Sequence, residues 1–188
     1  MWHNILNAQN RWITSVSVFL MLVANGSFAS QLLLAYPLSD GNLLFVSSVL
    51  LLFTLATTFM LLWLCHGRAA RWVLAFYLLA SSMAAYFMSA YSTVIDQTML
   101  ENTLQTNASE AGDLFSTSML LYLLGLGVLP AWYVLRRLPK TAGFVTELRA
   151  KTLFSLCLLV GMVLLIVPFT SQYASFFREH KSLRFYAN

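Results

Sequence analysis

"LLFVSSVLLLFTLATTFMLLWLC", residues 43–65, carries no charge, no proline and no glycine. About 20 apolar residues in α-helix cover a ~30 Å hydrocarbon core, and this stretch is long enough. Its few polar groups are serine and threonine hydroxyls, which can bond back to their own helix's carbonyls. Lipid offers the backbone no partners, so a separate run of this kind crosses as a helix. Four further runs repeat the pattern, at about 13–35 (beginning "ITSVSVFLMLVANG"), 72–94, 115–135 and 152–170. The chain is 59% hydrophobic and 10% charged, against about 45–50% and about 25% in soluble domains. The expected fold class is all-α, an integral membrane bundle of five transmembrane helices forming one domain over residues 1–172. The tetrapeptide "SFAS" in the first run resembles a leader-cleavage site. The run continues past it through "QLLLA", so a retained span is expected.

Basic residues orient the spans. With the N-terminus inside, the inner segments hold Arg11, Arg68, Arg71, Arg136, Arg137, Lys140, Arg149 and Lys151, eight of the eleven Lys and Arg residues. The two outer loops, near 36–42 and 95–114, hold none. The positive-inside bias therefore predicts a cytoplasmic N-terminus and an exported C-terminus. Trp12, Trp63, Trp72 and Trp132 fall at the inner ends of their spans, where an aromatic belt sits. The net charge of +4 thus reports loop placement, and nucleic acid is excluded as a partner.

Other features read as structure. Cys65 and Cys157 lie in separate apolar runs without metal or redox spacing, and His3, His66 and His180 are far apart, so no metal site is expected in this chain. Ala80, Ser81, Ser82, Ala84, Ala85, Ser89 and Ala90 let the third span pack closely. Gly125, Gly127 and Pro130 predict a kink or local opening in the fourth span, and Pro168 one in the fifth. Asn25 and Ser27 interrupt the first span and are expected to hydrogen-bond within the bundle. No span has a central ionisable residue of the kind a transport pathway needs.

The outer segment "DQTMLENTLQTNASEAGDL", residues 96–114, holds four of the seven acidic residues and no Lys or Arg. Asp96 or Thr98 can cap a helix here, and an amphipathic helix over about 96–114 is predicted between spans three and four. On it Leu100, Leu104, Ala111 and Phe115 gather on one side. Asn102, Thr106 and Glu110 run along the other at a spacing of about 6 Å. An amide, a hydroxyl and a carboxylate in a row suit a zwitterionic ligand: the carboxylate meets an ammonium, the amide and hydroxyl donate to a phosphate. A polar face on a surface helix usually just meets water, and Asn107 and Glu110 also read as a capping pair.

Together with "GLGVLP" (125–130) and "YASFFREHKSLRFYAN" (173–188), this segment closely resembles the lipid A phosphoethanolamine transferases, and within them the mobile colistin resistance enzymes. The likeness runs through the whole chain, with Ser92 where that family commonly has glycine. The resemblance implies a bacterial inner-membrane enzyme, N-terminus cytoplasmic and C-terminus periplasmic, moving phosphoethanolamine from phosphatidylethanolamine to lipid A. Neutralising a lipid A phosphate in this way weakens binding of polymyxins, including colistin. It implies a catalytic threonine and zinc in a periplasmic domain after the fifth span. This chain is then expected to be the N-terminal membrane domain alone, inactive by itself, with that C-terminal domain as its partner and no catalytic residue of its own. Carried over residue by residue, the resemblance assigns Asn102, Thr106 and Glu110 to the phosphoethanolamine head group.

Residues 173–188 are expected to form an interfacial linker. Tyr173, Phe176, Phe177 and His180 recur at helical spacing beside Arg178, Lys181 and Arg184, which suits rings at the lipid boundary and cations near anionic lipid. Two alternatives stay open: the membrane domain of a phosphoglycerol transferase of the lipoteichoic-acid type, whose donor has no ammonium for Glu110, and a stand-alone lipid-binding accessory protein.

Overall fold

The computed structural model describes residues 7–91, 116–139 and 143–179. Among these every regular element is helical. Helix α1 (Ala8–Phe19) starts at Asn7, whose side chain accepts from the Asn10 N–H at 2.7 Å and satisfies one orphan donor of the first turn. It passes into a π-helical segment, Leu20–Ala24, and then α2 (Gly26–Ala35). After a short turn come α3 (Leu43–Leu64) and α4 (Ala70–Tyr91). Helix α5 (Thr117–Tyr122) leads through a second π segment, Leu123–Val128, into α6 (Leu129–Arg137). The chain ends in α7 (Phe144–Ile166), a 3₁₀ turn Val167–Phe169, and α8 (Thr170–Glu179).

Four helical stretches are long and apolar enough to cross a membrane, and the α1–α2 pair makes a fifth if taken as one span. The first span, expected over 13–35 with an interruption at Asn25 and Ser27, has two halves that bend by 63° at Asn25. The break carries its own hydrogen bonds. The Leu20 carbonyl accepts both the Asn25 N–H and Asn25 Nδ2, each at 3.0 Å. Asn25 thus makes the bond expected of it, within its own helix. The last stretch is longer than the expected 152–170. Phe144–Arg178 runs 35 residues, about 52 Å at ~1.5 Å per residue, well beyond a ~30 Å hydrocarbon core. The fourth span opens where Gly125, Gly127 and Pro130 predict, in the second π segment. Pro168 falls in the 3₁₀ turn. The amphipathic helix expected over 96–114 lies outside the described residues.

Helix α7 packs along α3, while α4 packs along α6 and the second π segment. Helix α1 joins the two pairs: it packs on α3, and its own π segment packs on α4. Threonine hydroxyls inside the spans are satisfied by their own helix, as in Thr54 to the Leu50 carbonyl and Thr58 to the Thr54 carbonyl, both 2.8 Å. Trp63 Nε1 donates to Ser155 Oγ at 3.1 Å and ties α3 to α7.

Two apolar clusters form the core. One lies toward the end bearing Arg68, Arg71, Arg136 and Arg137 and includes Ile13, Leu61, Leu62, Leu74, Leu78 and Phe154. The other, at the opposite end, joins Phe28, Leu32, Phe45 and Val49 to Tyr173 and Phe176 of α8. Tyr173 and Phe176, read from the sequence as rings at the lipid boundary, therefore pack on protein; Phe177 stays exposed. The Phe45 ring meets Tyr173 edge-on at 5.3 Å, and the Tyr173 hydroxyl hydrogen-bonds Ser48 Oγ at 2.9 Å. Tyr173→Phe keeps the ring and removes that bond. It should cost about 0.5–1.5 kcal/mol, read as a small fall in melting temperature of the detergent-purified protein.

Lys151, counted among the inner loop charges, is 0% exposed. Its ammonium pairs with Glu147 Oε1 at 2.6 Å, one helical turn earlier on α7, and donates to the Cys65 carbonyl at the end of α3. Glu147 in turn accepts the Gly67 N–H at 3.2 Å. Charge counting along the sequence treats every Lys as solvated; only the docking of α7 onto the α3–α4 turn brings these groups together.

Candidate functional site

A polar cavity of about 320 Å³ lies between α2 and α4 just past the 63° bend at Asn25, at the end of the bundle away from the arginines. Its volume is at the lower end of ligand-sized pockets. Ser27, Ser30 and Gln31 contribute from α2, Met88 and Ser89 from α4, and Tyr122 from α5. The spacing of the first three puts them on one face of α2. Ser30 Oγ donates to the Ser27 carbonyl at 2.9 Å. Among the described residues the Gln31 amide makes no hydrogen bond, so its donors and acceptors are available to the cavity. Among the described residues no charged side chain lines the space.

The helices on either side of the acidic outer segment in sequence, α4 and α5, contribute Met88, Ser89 and Tyr122 to the cavity. Ser116 caps α5 by accepting the Met119 N–H at 3.1 Å, and its Oγ shares a 2.7 Å hydrogen bond with Tyr86 of α4. Tyr122 packs edge-on against the Tyr86 ring at 5.8 Å and reaches Ser89 Oγ at 3.4 Å. Helices α4 and α5, which flank the segment in sequence, are thereby tied together beside the cavity. Asn102, Thr106 and Glu110 themselves lie outside the described residues.

Of the cations expected to meet anionic lipid, Arg178 is on the exposed side of α8, while Lys181 and Arg184 lie outside the described residues. Among the described residues no three His, Cys, Asp or Glu side chains gather at a distance that could hold a metal ion. Sequence reading took Ser27 and Ser89 as packing or bundle-bonding residues and did not single out Ser30, Gln31 or Tyr122. The available signal was the recurrence of polar residues at 27, 30 and 31 on one face just after a helix interruption.

Residues 51–188 match the family described as "Phosphoethanolamine transferase EptA/EptB". The chain belongs to this family. It is 37% identical over 176 residues to the phosphatidylethanolamine transferase Mcr-2 of Escherichia coli, a match covering 92% of this chain and 32% of that protein. It is 35% identical over 177 residues to the phosphatidylethanolamine transferase Mcr-1 of the same organism, covering 94% and 32%. The chain thus spans about a third of the length of these relatives. Its fold is that of the integral membrane protein lipooligosaccharide phosphoethanolamine transferase A (EptA) from Neisseria meningitidis, with a TM-score of 0.89 over 94% of this chain and 33% of that one, at 22% identity. What this EptA/EptB-family chain supplies is a multi-pass helical membrane domain.

Proposed function

We propose that this chain is the membrane domain of an enzyme that moves phosphoethanolamine from phosphatidylethanolamine to lipid A and so lowers susceptibility to polymyxins such as colistin. The observation that carries this reading is the family match over residues 51–188. The membrane domain then crosses the bacterial inner membrane five times, N-terminus cytoplasmic and C-terminus periplasmic, with α1–α2 as one bent span. Residues 1–172 form the bundle, the outer segment forms a surface helix over about 96–114, and 173–188 lead toward a periplasmic catalytic domain. That domain carries the catalytic threonine and zinc, and the membrane domain's part is to position lipid for it.

In this reading Asn102 and Thr106 meet the donor's phosphate oxygens and Glu110 its ammonium. Two features support it. Helices α4 and α5, which flank the outer segment in sequence, border a polar cavity with no charged lining side chain among the described residues. The segment's acidic residues have no Lys or Arg within residues 96–114 to neutralise them. Arg178, Lys181 and Arg184 serve the anionic acceptor lipid.

Glu110→Gln in the whole protein should reduce phosphoethanolamine transfer about 10- to 100-fold, because a charge-assisted hydrogen bond contributes about 1.5–3 kcal/mol and ~1.4 kcal/mol is tenfold. The measurement is mass spectrometry of lipid A from cells making equal amounts of each protein. Unchanged modification by the variant would remove the outer segment from donor recognition. Unmodified lipid A with the wild-type protein would remove the transferase reading itself.

A further inference from the structure

At the arginine-rich end, away from the cavity above, a groove runs between α1 and α6. Its outer part, about 380 Å³, is lined by Ala8, Arg11, Trp12, Ser15 and Tyr133. Its inner part, about 390 Å³, shares Trp12, Ser15 and Tyr133 and continues between Phe19, Leu78 and Pro130. The Trp12 and Tyr133 rings touch at 5.3 Å and form the wall common to both parts. The second π segment helps hold the inner part open: Gly125 lines it, and a Cβ there would meet nothing within 4 Å.

The polarity of this groove is graded. A guanidinium stands at its mouth, two hydroxyls follow, and the depth is hydrocarbon. Arg11 is exposed, and among the described residues its guanidinium makes no ion pair or hydrogen bond. A bare cation at the membrane boundary draws a phosphate, and guanidinium geometry suits phosphate oxygens. The apolar depth would be costly to fill with water and matches an acyl chain.

We propose that this groove is a phospholipid-binding site for the leaflet at the arginine-rich end. The phosphodiester sits on Arg11, the glycerol ester region meets the Ser15 and Tyr133 hydroxyls, and one acyl chain enters between Phe19, Leu78 and Pro130. The site is separate from the polar cavity and does not depend on the transferase reading. Its occupant acts as a structural lipid that fills the seam between α1 and α6.

The test is native mass spectrometry of the detergent-purified protein titrated with phosphatidylglycerol or with diacylglycerol of the same chains. Wild type should hold one phosphatidylglycerol about 10-fold more tightly than diacylglycerol. Arg11→Gln should bring the two to equal affinity. Gly125→Leu, which puts a side chain into the open chamber, should weaken both. Arg68→Gln, an exposed arginine that does not line the groove, should leave the wild-type preference in place. Retention of the preference in Arg11→Gln, its equal loss in Arg68→Gln, or wild-type binding of both lipids by Gly125→Leu would each overturn the site.

Discussion

Lys151→Met is expected to destabilise the bundle by about 3–5 kcal/mol, because it strands the Glu147 carboxylate without its cation in a buried place. In the wild type the Lys151 ammonium is fully buried and holds two partners, Glu147 Oε1 and the Cys65 carbonyl. Glu147 precedes Lys151 by one turn, the favourable order for such a pair on a helix. After the substitution, among the described residues, Glu147 keeps one hydrogen bond, from the Gly67 N–H, and the carbonyl ending α3 keeps a long 3.5 Å contact from Gln9 Nε2. Pairing the change with Glu147→Gln removes the uncompensated charge. The double variant should therefore recover most of the loss, since neutral replacement of a buried ion pair is often tolerated. Labelling of Cys65 reports the same event locally. Its thiol is buried at this joint, whereas Cys157 is exposed on α7. In a Cys157→Ser background, Lys151→Met should speed Cys65 modification by a thiol reagent, and the double variant should slow it again. Equal melting temperatures for wild type and Lys151→Met would sink the idea that this pair locks α7 to the α3–α4 turn.

The second large effect is expected at Gly127, where the second π segment lies against α4. A Cβ on Gly127 would overlap Ser82 Oγ, and would stand 3.2 Å from Ser82 Cβ and 3.3 Å from Leu123 Cδ1. Ser82 has little freedom to yield, because its hydroxyl donates to the Leu79 carbonyl at 2.8 Å. Gly127→Leu must push the two helices apart and should cost about 1–3 kcal/mol through overpacking. Gly127→Ala should cost less, and less again when Ser82→Ala removes the blocking oxygen. A coupling of about 0.5 kcal/mol or more between the two sites is expected for residues in contact. Gly125→Ala, whose Cβ meets nothing within 4 Å, should leave stability near wild type. Thermal unfolding of these variants and of Ser82→Ala alone in one detergent measures all of this, and a Gly127→Leu protein as stable as Gly125→Ala would remove the close approach from the account of the fold.

That pair of glycines illustrates how far the sequence could be read. Both sit in "GLGVLP" and both raise the same expectation of an opening, which the π segment fulfils. Nothing in the sequence distinguishes the one that touches α4 from the one that faces a groove, because rotation of the segment about its axis is set by the neighbouring helix. Asn25 is similar. Its polarity within an apolar run marks the interruption, but the 63° bend depends on α2 packing against α3 and α8 through Phe28, Leu32, Phe45 and Phe176.

The sequence by itself determined that this is a helical membrane protein, roughly where its spans lie and which of their ends carry the arginines. Those properties follow from local hydropathy and from the cost of unpaired backbone in lipid, and neither needs a neighbour to be known. It also carried the family likeness on which the functional reading rests. Tertiary structure alone decided that Lys151 is a buried partner of Glu147, that Tyr173 and Phe176 close the core, and that Ser27, Ser30, Gln31, Ser89 and Tyr122 surround one cavity. The burial of that local pair, the closing of the core and the cavity each depend on contacts between segments 33 to 125 residues apart. In a bilayer apolar residues face lipid and protein alike, so hydrophobicity alone does not say which face of a helix meets its neighbour.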